Sequence, residues 1–333
     1  MSIRGPLVDR FGRVHTDLRV SVTDRCNLRC VYCMPAEGVE FRPHSAILSF
    51  EEIERFVAIA TRLGVRKVRI TGGDPLVRRG ILDLVRLLAA VPGITDLAMT
   101  TNGILLGDYA HGLRAAGVRR LNISLDTLDR EKFQQISRRD ELARVLRGIE
   151  AACRAGFDQI KLNTLAIRGQ TEDEIVPLAR FAREYGLEVR FIEFMPLDAA
   201  RQWQNDRVLS AREILRVLQE DLGPLEPILP KNANAPATEY RFLDGGGRVG
   251  VIASVTEPFC DECNRLRLTA EGKVRNCLFS TEEWDVRNLL RNGATDERIA
   301  ELLHDTVGAK KKSHGTESGA FAAPERVMYQ IGG

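Results

Sequence analysis

The sequence predicts an α/β chain: an incomplete (βα)6 TIM-type barrel over residues 1–222, with a smaller α+β C-terminal domain, residues 223–333, covering its open side. Three observations carry this reading. Short runs rich in Val, Ile and Leu alternate six times with helical patterns, the alternation that builds a parallel sheet through right-handed crossovers. Six units are two short of a closed eight-stranded barrel, so another part of the chain must cover the gap. After Met195 the alternation stops and shorter, turn-rich segments follow.

The elements follow in order. Strand one, residues 17–22, runs into Cys26, Cys30 and Cys33. Ser49 with Glu52 forms a capping box for a helix whose inward face is Ile53, Phe56, Val57 and Ala60. Strand two, 67–71, leads into Gly72-Gly73-Asp74-Pro75; strand three, 96–101, into Thr100-Thr101-Asn102-Gly103; strand four, 120–125, into Ser124 and Asp126. Leu142, Val145, Leu146, Ile149 and Cys153 recur at helical spacing, which makes Cys153 a small core residue. Strand five, 159–165, carries Lys161 and Asn163, and Thr171 with Glu174 marks a second capping box. Strand six, 188–194, ends in Glu193-Phe194-Met195-Pro196. Polar, chemically capable residues thus gather after every strand, the end at which such barrels build their sites.

Residues 223–236 are rich in Pro and read as an irregular connection. Segments 240–242, 248–254 and 266–269 read as short strands, with Asp244-Gly245-Gly246-Gly247 as a hairpin turn rather than a phosphate loop, since no GxxxxGKS/T pattern or helix follows. Residues 284–290 and 296–303 read as helical, and 310–333 is a polar tail ending Gly332-Gly333.

Charge and composition narrow the function. Lys and Arg total 48 against 46 Asp and Glu, a net +2, and only 6% of residues are aromatic. Neither nucleic acid nor an anionic membrane is expected as a partner, and any anion site must be local. The first residues have no apolar signal core, and apolar runs such as 87–91 fall far short of the ~18 residues a spanning helix needs, so a cytoplasmic protein is expected. In that compartment seven cysteines read as ligands or reactive groups rather than disulfides.

The cysteines divide into two triads, Cys26, Cys30, Cys33 and Cys260, Cys263, Cys277, leaving Cys153 apart. A closed zinc site wants four ligands, and no histidine lies close in sequence to either triad. A four-iron cube is normally held by four thiolates, so three would leave one iron open to a non-protein ligand. Zinc completed by a distant residue, or by ligands shared between triads, remains the alternative. Arg265 and Arg267, two apart on a strand, point to one face just after Cys263, and their forked guanidinium groups suit phosphate.

With these residues in view, Cys26-Asn27-Leu28-Arg29-Cys30-Val31-Tyr32-Cys33 resembles the CxxxCxxC signature of radical S-adenosylmethionine enzymes. RITGGDPLVRR, TTNG, NISLDT, RFIEFMP, the second triad and the terminal Gly-Gly extend the resemblance, over nearly the full length, to the GTP 3′,8-cyclase family of molybdenum cofactor biosynthesis, a lyase activity. The resemblance implies two 4Fe-4S clusters and S-adenosylmethionine, with Tyr32, Gly73, Ser124 and Met195 lining the cofactor pocket. It implies GTP at the second cluster, contacted by Arg19, Arg69, Thr100, Lys161, Arg265 and Arg267, with Arg69, Arg265 and Arg267 supporting catalysis. An adenosyl radical would abstract the ribose 3′ hydrogen, and the carbon radical would attack C8 of guanine.

The resemblance also implies a one-electron donor of unspecified identity, and it leaves room for a contact with the next enzyme, cyclic pyranopterin monophosphate synthase, and for a homodimer. The Gly-Gly tail would enter the channel between the clusters. Asp74 departs from the family's usual glutamate, with the same charge and a shorter reach toward the cofactor's amino group. Two other readings stand: a radical peptide-modifying enzyme with an auxiliary cluster, and a zinc-stapled binding module.

Overall fold

A computed structural model describes residues 5–199, 201, 203–229, 234–314 and 324–332. Gly333, half of the expected Gly-Gly tail, lies outside the described residues.

Six parallel strands form the centre: β1 (Asp17–Ser21), β2 (Lys67–Thr71), β3 (Asp96–Thr101), β4 (Arg120–Ser124), β5 (Gln159–Ala166) and β6 (Glu188–Glu193). They pair in sequence order, as expected for a (βα)6 partial barrel. The later strands are β7 (Leu225–Pro227), β8 (Thr238–Phe242), β9 (Arg248–Ile252), β10 (Arg265–Leu268), β11 (Lys273–Arg275) and β12 (Trp284–Asp285). They join both margins of the same sheet: β10 runs parallel to β1, and β9 parallel to β6. The gap in the barrel is therefore flanked from two sides by C-terminal residues.

Between the strands lie α1 (Phe50–Arg62), α2 (Ile81–Ala90), α3 (Leu106–Ala116), α4 (Arg130–Ser137), α5 (Leu142–Ala155) and α6 (Ile175–Glu184), followed by α7 (Ala211–Leu222), α8 (Val286–Arg291), α9 (Asp296–Gly308) and α10 (Met328–Ile331). The capping box of α1 forms as its sequence requires, Glu52 N–H donating to Ser49 Oγ at 3.1 Å and Ser49 N–H to Glu52 at 2.7 Å. Ile53, Phe56, Val57 and Ala60 are buried, and each of the three larger side chains stabilises the fold by about 1.5–3 kcal/mol. Alternation along β1 and β2 sends Leu18, Val20, Val68 and Ile70 into the core. Arg19 and Arg69 then fall on the opposite, inner face. None of the described helices is long and apolar enough to cross a membrane.

Several expectations are corrected. Thr171 forms no capping box: its hydroxyl donates to the Leu165 carbonyl at 2.6 Å and accepts from Ile167 N–H at 2.9 Å, closing a loop ahead of α6. Cys153 is only half-buried, at the margin of the core. Trp284 and Asp285 are strand rather than helix, and the Pro-rich connection contains β7.

Candidate active site

The first cysteine triad sits on the loop after β1 and lines a cavity of about 240 Å³ together with Tyr32, Gly73, Ser124 and Met195. Gly73 has a specific reason to be glycine: a Cβ there would collide with the backbone of Arg25 and Asp24. That close approach lets Gly73 N–H reach the Thr23 carbonyl at 2.8 Å and Asp74 N–H the Arg25 carbonyl at 2.9 Å, fastening the β2 loop to the cysteine loop. Tyr32 donates its hydroxyl proton to Asp126, which also accepts Leu165 N–H at 2.9 Å. Burial pushes the Cys26 thiol up to about 11 and the Cys33 thiol up to about 12, and raises Cys30 well above its ordinary value, with the neighbouring cysteines adding to the shift of Cys30 and Cys33. The three thiols are half-buried and share one cavity wall, where a bound metal would supply the charge that makes thiolates stable.

The second triad differs electrostatically. Burial would raise the Cys263 thiol, but Arg265 and Lys310 outweigh it and hold the group at about 6. Arg265 Nη2 lies 3.3 Å and Lys310 Nζ 3.5 Å from the Cys263 sulfur. Arg13 donates to the carbonyls of Cys260 (2.6 Å), Lys311 (2.8 Å) and Lys312 (3.0 Å) while its Nε holds Asp9 at 2.6 Å, so the N-terminal segment braces this triad. Among the described residues no three His, Cys, Asp or Glu side chains converge on a single metal ion. A smaller cavity of about 70 Å³, shared by Cys260, Cys263, Cys277, Arg265 and Arg267, also touches Met195, which thereby borders both triads' cavities.

Across strands β10, β1 and β2 runs a row of like charges. Register places Arg19 of β1 directly between Arg267 of β10 and Arg69 of β2. Such neighbours repel. Burial, then Arg267, Arg69 and Arg265, lowers Arg19 well below its ordinary pKa, and burial with Arg265 brings Arg267 down to about 9. The Nε atoms of Arg19 and Arg69 are buried without a partner. Unpaired buried donors on a row of cations form a site for a polyanion.

The chain matches the Radical SAM superfamily over residues 20–182 and Molybdenum Cofactor Synthesis C over residues 187–316. It is 52% identical to a GTP 3′,8-cyclase of Rhodopirellula baltica, covering 98% of this chain and 92% of that one, and 48% identical to a GTP 3′,8-cyclase of Mycobacterium sp. (strain KMS), covering 100% and 95%. The chain belongs to the GTP 3′,8-cyclase family. Family membership brings S-adenosylmethionine and two 4Fe-4S clusters. The solved structure of Streptococcus suis SuiB bound to precursor peptide SuiA is alike in fold, with a TM-score of 0.63 over 92% of this chain and 67% of that one; at 14% identity the likeness is one of fold alone.

In this member of the family the residues singled out from sequence do not all meet. Arg19, Arg69, Arg265 and Arg267 fall on one face of the sheet, with Arg265 and Arg267 lining the second triad's smaller cavity, and Arg267 Nη1 donates to the Gly332 carbonyl at 2.5 Å, so the tail reaches the barrel interior. Thr100 accepts from Asn122 Nδ2 at 3.4 Å and lines the first cavity. Lys161 stands apart, 3.4 Å from Glu188 and 3.6 Å from Glu239, where burial and Arg190 bring it down to about 8. Arg13 and Lys310 were not singled out, because nothing in their local sequence separates them from other surface cations. Asn102 and Asp126 were visible as strand-end polar residues, without an assigned contact.

Proposed function

We propose that this chain cyclises GTP to 3′,8-cyclo-7,8-dihydroguanosine 5′-triphosphate, with the two cysteine triads as separate cluster sites and the triphosphate held by Arg19, Arg69 and Arg267. The Arg267–Arg19–Arg69 row carries this reading: three buried guanidinium groups side by side are stable when an anion of several charges lies against them. Cys26, Cys30 and Cys33 would hold a four-iron cube; with S-adenosylmethionine bound, that group would supply one-electron reductive cleavage of the sulfonium C–S bond, and so a radical able to take the ribose 3′ hydrogen.

The chain's own residues do the rest. Gly73 and Asp74 fix the first cysteine loop, and Tyr32, steadied by Asp126, with Ser124 and Met195 gives the cofactor a shaped wall. Cys260, Cys263 and Cys277 would hold the second cube, which would supply a binding point for the purine, and Arg265, 3.3 Å from the Cys263 sulfur, favours the ionised form of that ligand. Fixing phosphate at one end and purine at the other orients the ribose, and such positioning is worth up to about 7–11 kcal/mol of a barrier. Met328 and Tyr329 wall the first cavity and His314 the smaller one, where they help exclude water.

The wider reading includes a one-electron donor, product transfer to cyclic pyranopterin monophosphate synthase, a homodimer, and a domain boundary near residue 222. Peptide modification gains nothing from a triphosphate-sized cation row.

Anaerobic reconstitution tests the core of the proposal. Expected are about eight irons per chain and S-adenosylmethionine cleavage that depends on GTP. Two zinc ions and no iron, or cleavage indifferent to GTP, would refute it.

A further inference from the structure

The side chain of Asp74, on the loop after β2, turns away from the first cavity. It is 1% exposed and does not line the first cavity, although Gly72 and Gly73 beside it do. Its carboxylate is committed elsewhere: Oδ1 accepts Leu76 N–H at 3.0 Å, and Oδ2 accepts the Thr101 hydroxyl at 2.8 Å and Asn102 N–H at 2.6 Å. The β2 loop is thereby tied to the β3 loop.

What this bond holds in place is the Asn102 side chain, which does reach the cavity. Asn102 Nδ2 donates to Asn27 Oδ1 at 2.7 Å and to Cys26 Sγ at 3.5 Å. Asn102 Oδ1 accepts Ile104 N–H at 3.1 Å, which fixes the amide so that its NH2 end points to the cysteine loop. Both N–H donors of that amide are thus assigned, and its oxygen is held by one donor.

We propose that Asp74 is a positioning residue for the first cluster, holding the Asn102 amide against the Cys26 sulfur, and that it is not the ligand of the S-adenosylmethionine amino group. The inference rests on the first triad holding a cluster, as proposed above. An N–H donor on a ligating sulfur stabilises the additional negative charge of a reduced cluster and so raises its reduction potential. The Asp74–Asn102 pair is then a device for making the first cube easier to reduce. An ammonium ligand would need a carboxylate oxygen open to the cavity, and this side chain offers none.

The test uses iron-loaded full-length protein and the variants Asn102→Ala and Asp74→Asn. Two quantities are read: the midpoint potential of the cluster whose electron paramagnetic resonance signal responds to S-adenosylmethionine, and the cofactor's dissociation constant. Asn102→Ala removes the donor to sulfur and leaves the Asn102 N–H bond to Asp74 in place, while Ile104 N–H loses its side-chain acceptor. It should lower the reduced-to-oxidised ratio at a fixed donor potential about tenfold, equivalent to 59 mV for one electron. Asp74→Asn should move the potential in the same direction by a smaller factor, and neither variant should change cofactor affinity more than twofold. Loss of cofactor affinity by tenfold or more in Asp74→Asn overturns the proposal, and so does an unchanged potential in Asn102→Ala. If Asp74→Asn fails to hold iron, Asn102→Ala decides on both readouts. Failure of the wild-type protein to bind iron at all would instead overturn the proposed function, a separate outcome visible before any variant is made.

Discussion

Replacing Arg19 by Met should raise stability and weaken GTP binding at the same time. Arg19 is flanked in register by Arg267 and Arg69, its Nε has no partner, and burial with these neighbours disfavours its charge. Met keeps most of the apolar stem and removes the charge, so the protein without nucleotide loses a repulsion and an unsatisfied donor, the latter worth about 1–3 kcal/mol. The same change removes one charge-assisted contact to phosphate, about 1.5–3 kcal/mol, which corresponds to roughly 10- to 150-fold weaker GTP binding. The assay is paired: denaturant unfolding with and without GTP, and a binding isotherm on the iron-loaded protein. Wild type at GTP one hundred times its dissociation constant should gain about 2.7 kcal/mol, a gain the variant largely forfeits at that concentration. A destabilised variant with unchanged GTP affinity would refute the reasoning, for it would make Arg19 a structural cation.

Other outcomes follow from the same geometry. Arg267→Ala should weaken GTP binding by a similar factor and leave iron content unchanged; its loss of the Gly332 contact should also make the C-terminal tail more readily cleaved by protease, and loss of iron would count against this role. Arg13→Ala frees the carbonyls of Cys260, Lys311 and Lys312 together, so reconstitution should fall from about eight irons to roughly four, with cofactor binding at the first triad retained. His15 is buried against Asp9; burial and then Lys310 and Arg13 lower it from 6.5 to about 4, although Asp9 opposes them. Above pH 6.5 it is neutral in both folded and unfolded chains, and between 6.5 and 4 only the unfolded chain takes the proton. Stability should therefore fall by up to about 3 kcal/mol across that window, and unfolding curves of His15→Gln should show a shallower decline. Asp9, held at about 2 chiefly by Arg13 and His15 against the effect of burial, starts to lose its contribution only below pH 3.8 and leaves that window to His15.

Much of the fold was legible because its signals are local. Apolar runs and helix starts specify the six central strands to within one residue at either end, and the Ser49 box caps α1 as written. Thr171 failed by the same standard: its hydroxyl could cap a helix or close a loop, and only the position of the Leu165 carbonyl selected the loop. At the candidate site, cysteine spacing exposed both triads, and two-residue alternation put Arg265 and Arg267 on one face. Lys161 shows the limit, since its partners Glu188 and Glu239 lie far along the chain and nothing near it in sequence announces them.

The sequence by itself determined which residues could carry charge, sulfur and backbone freedom, and on which side of each strand they fall. Tertiary structure alone decided which of them meet: that Arg19 lies between two other arginines, that Arg13 and Lys310 brace the second triad, and that Asp74 faces Asn102 instead of the cavity. The reason is physical. Alternation and capping depend on neighbours a few residues apart, whereas register between strands and the direction of a buried carboxylate are fixed by contacts across the fold, where each donor takes the acceptor that packing leaves within reach.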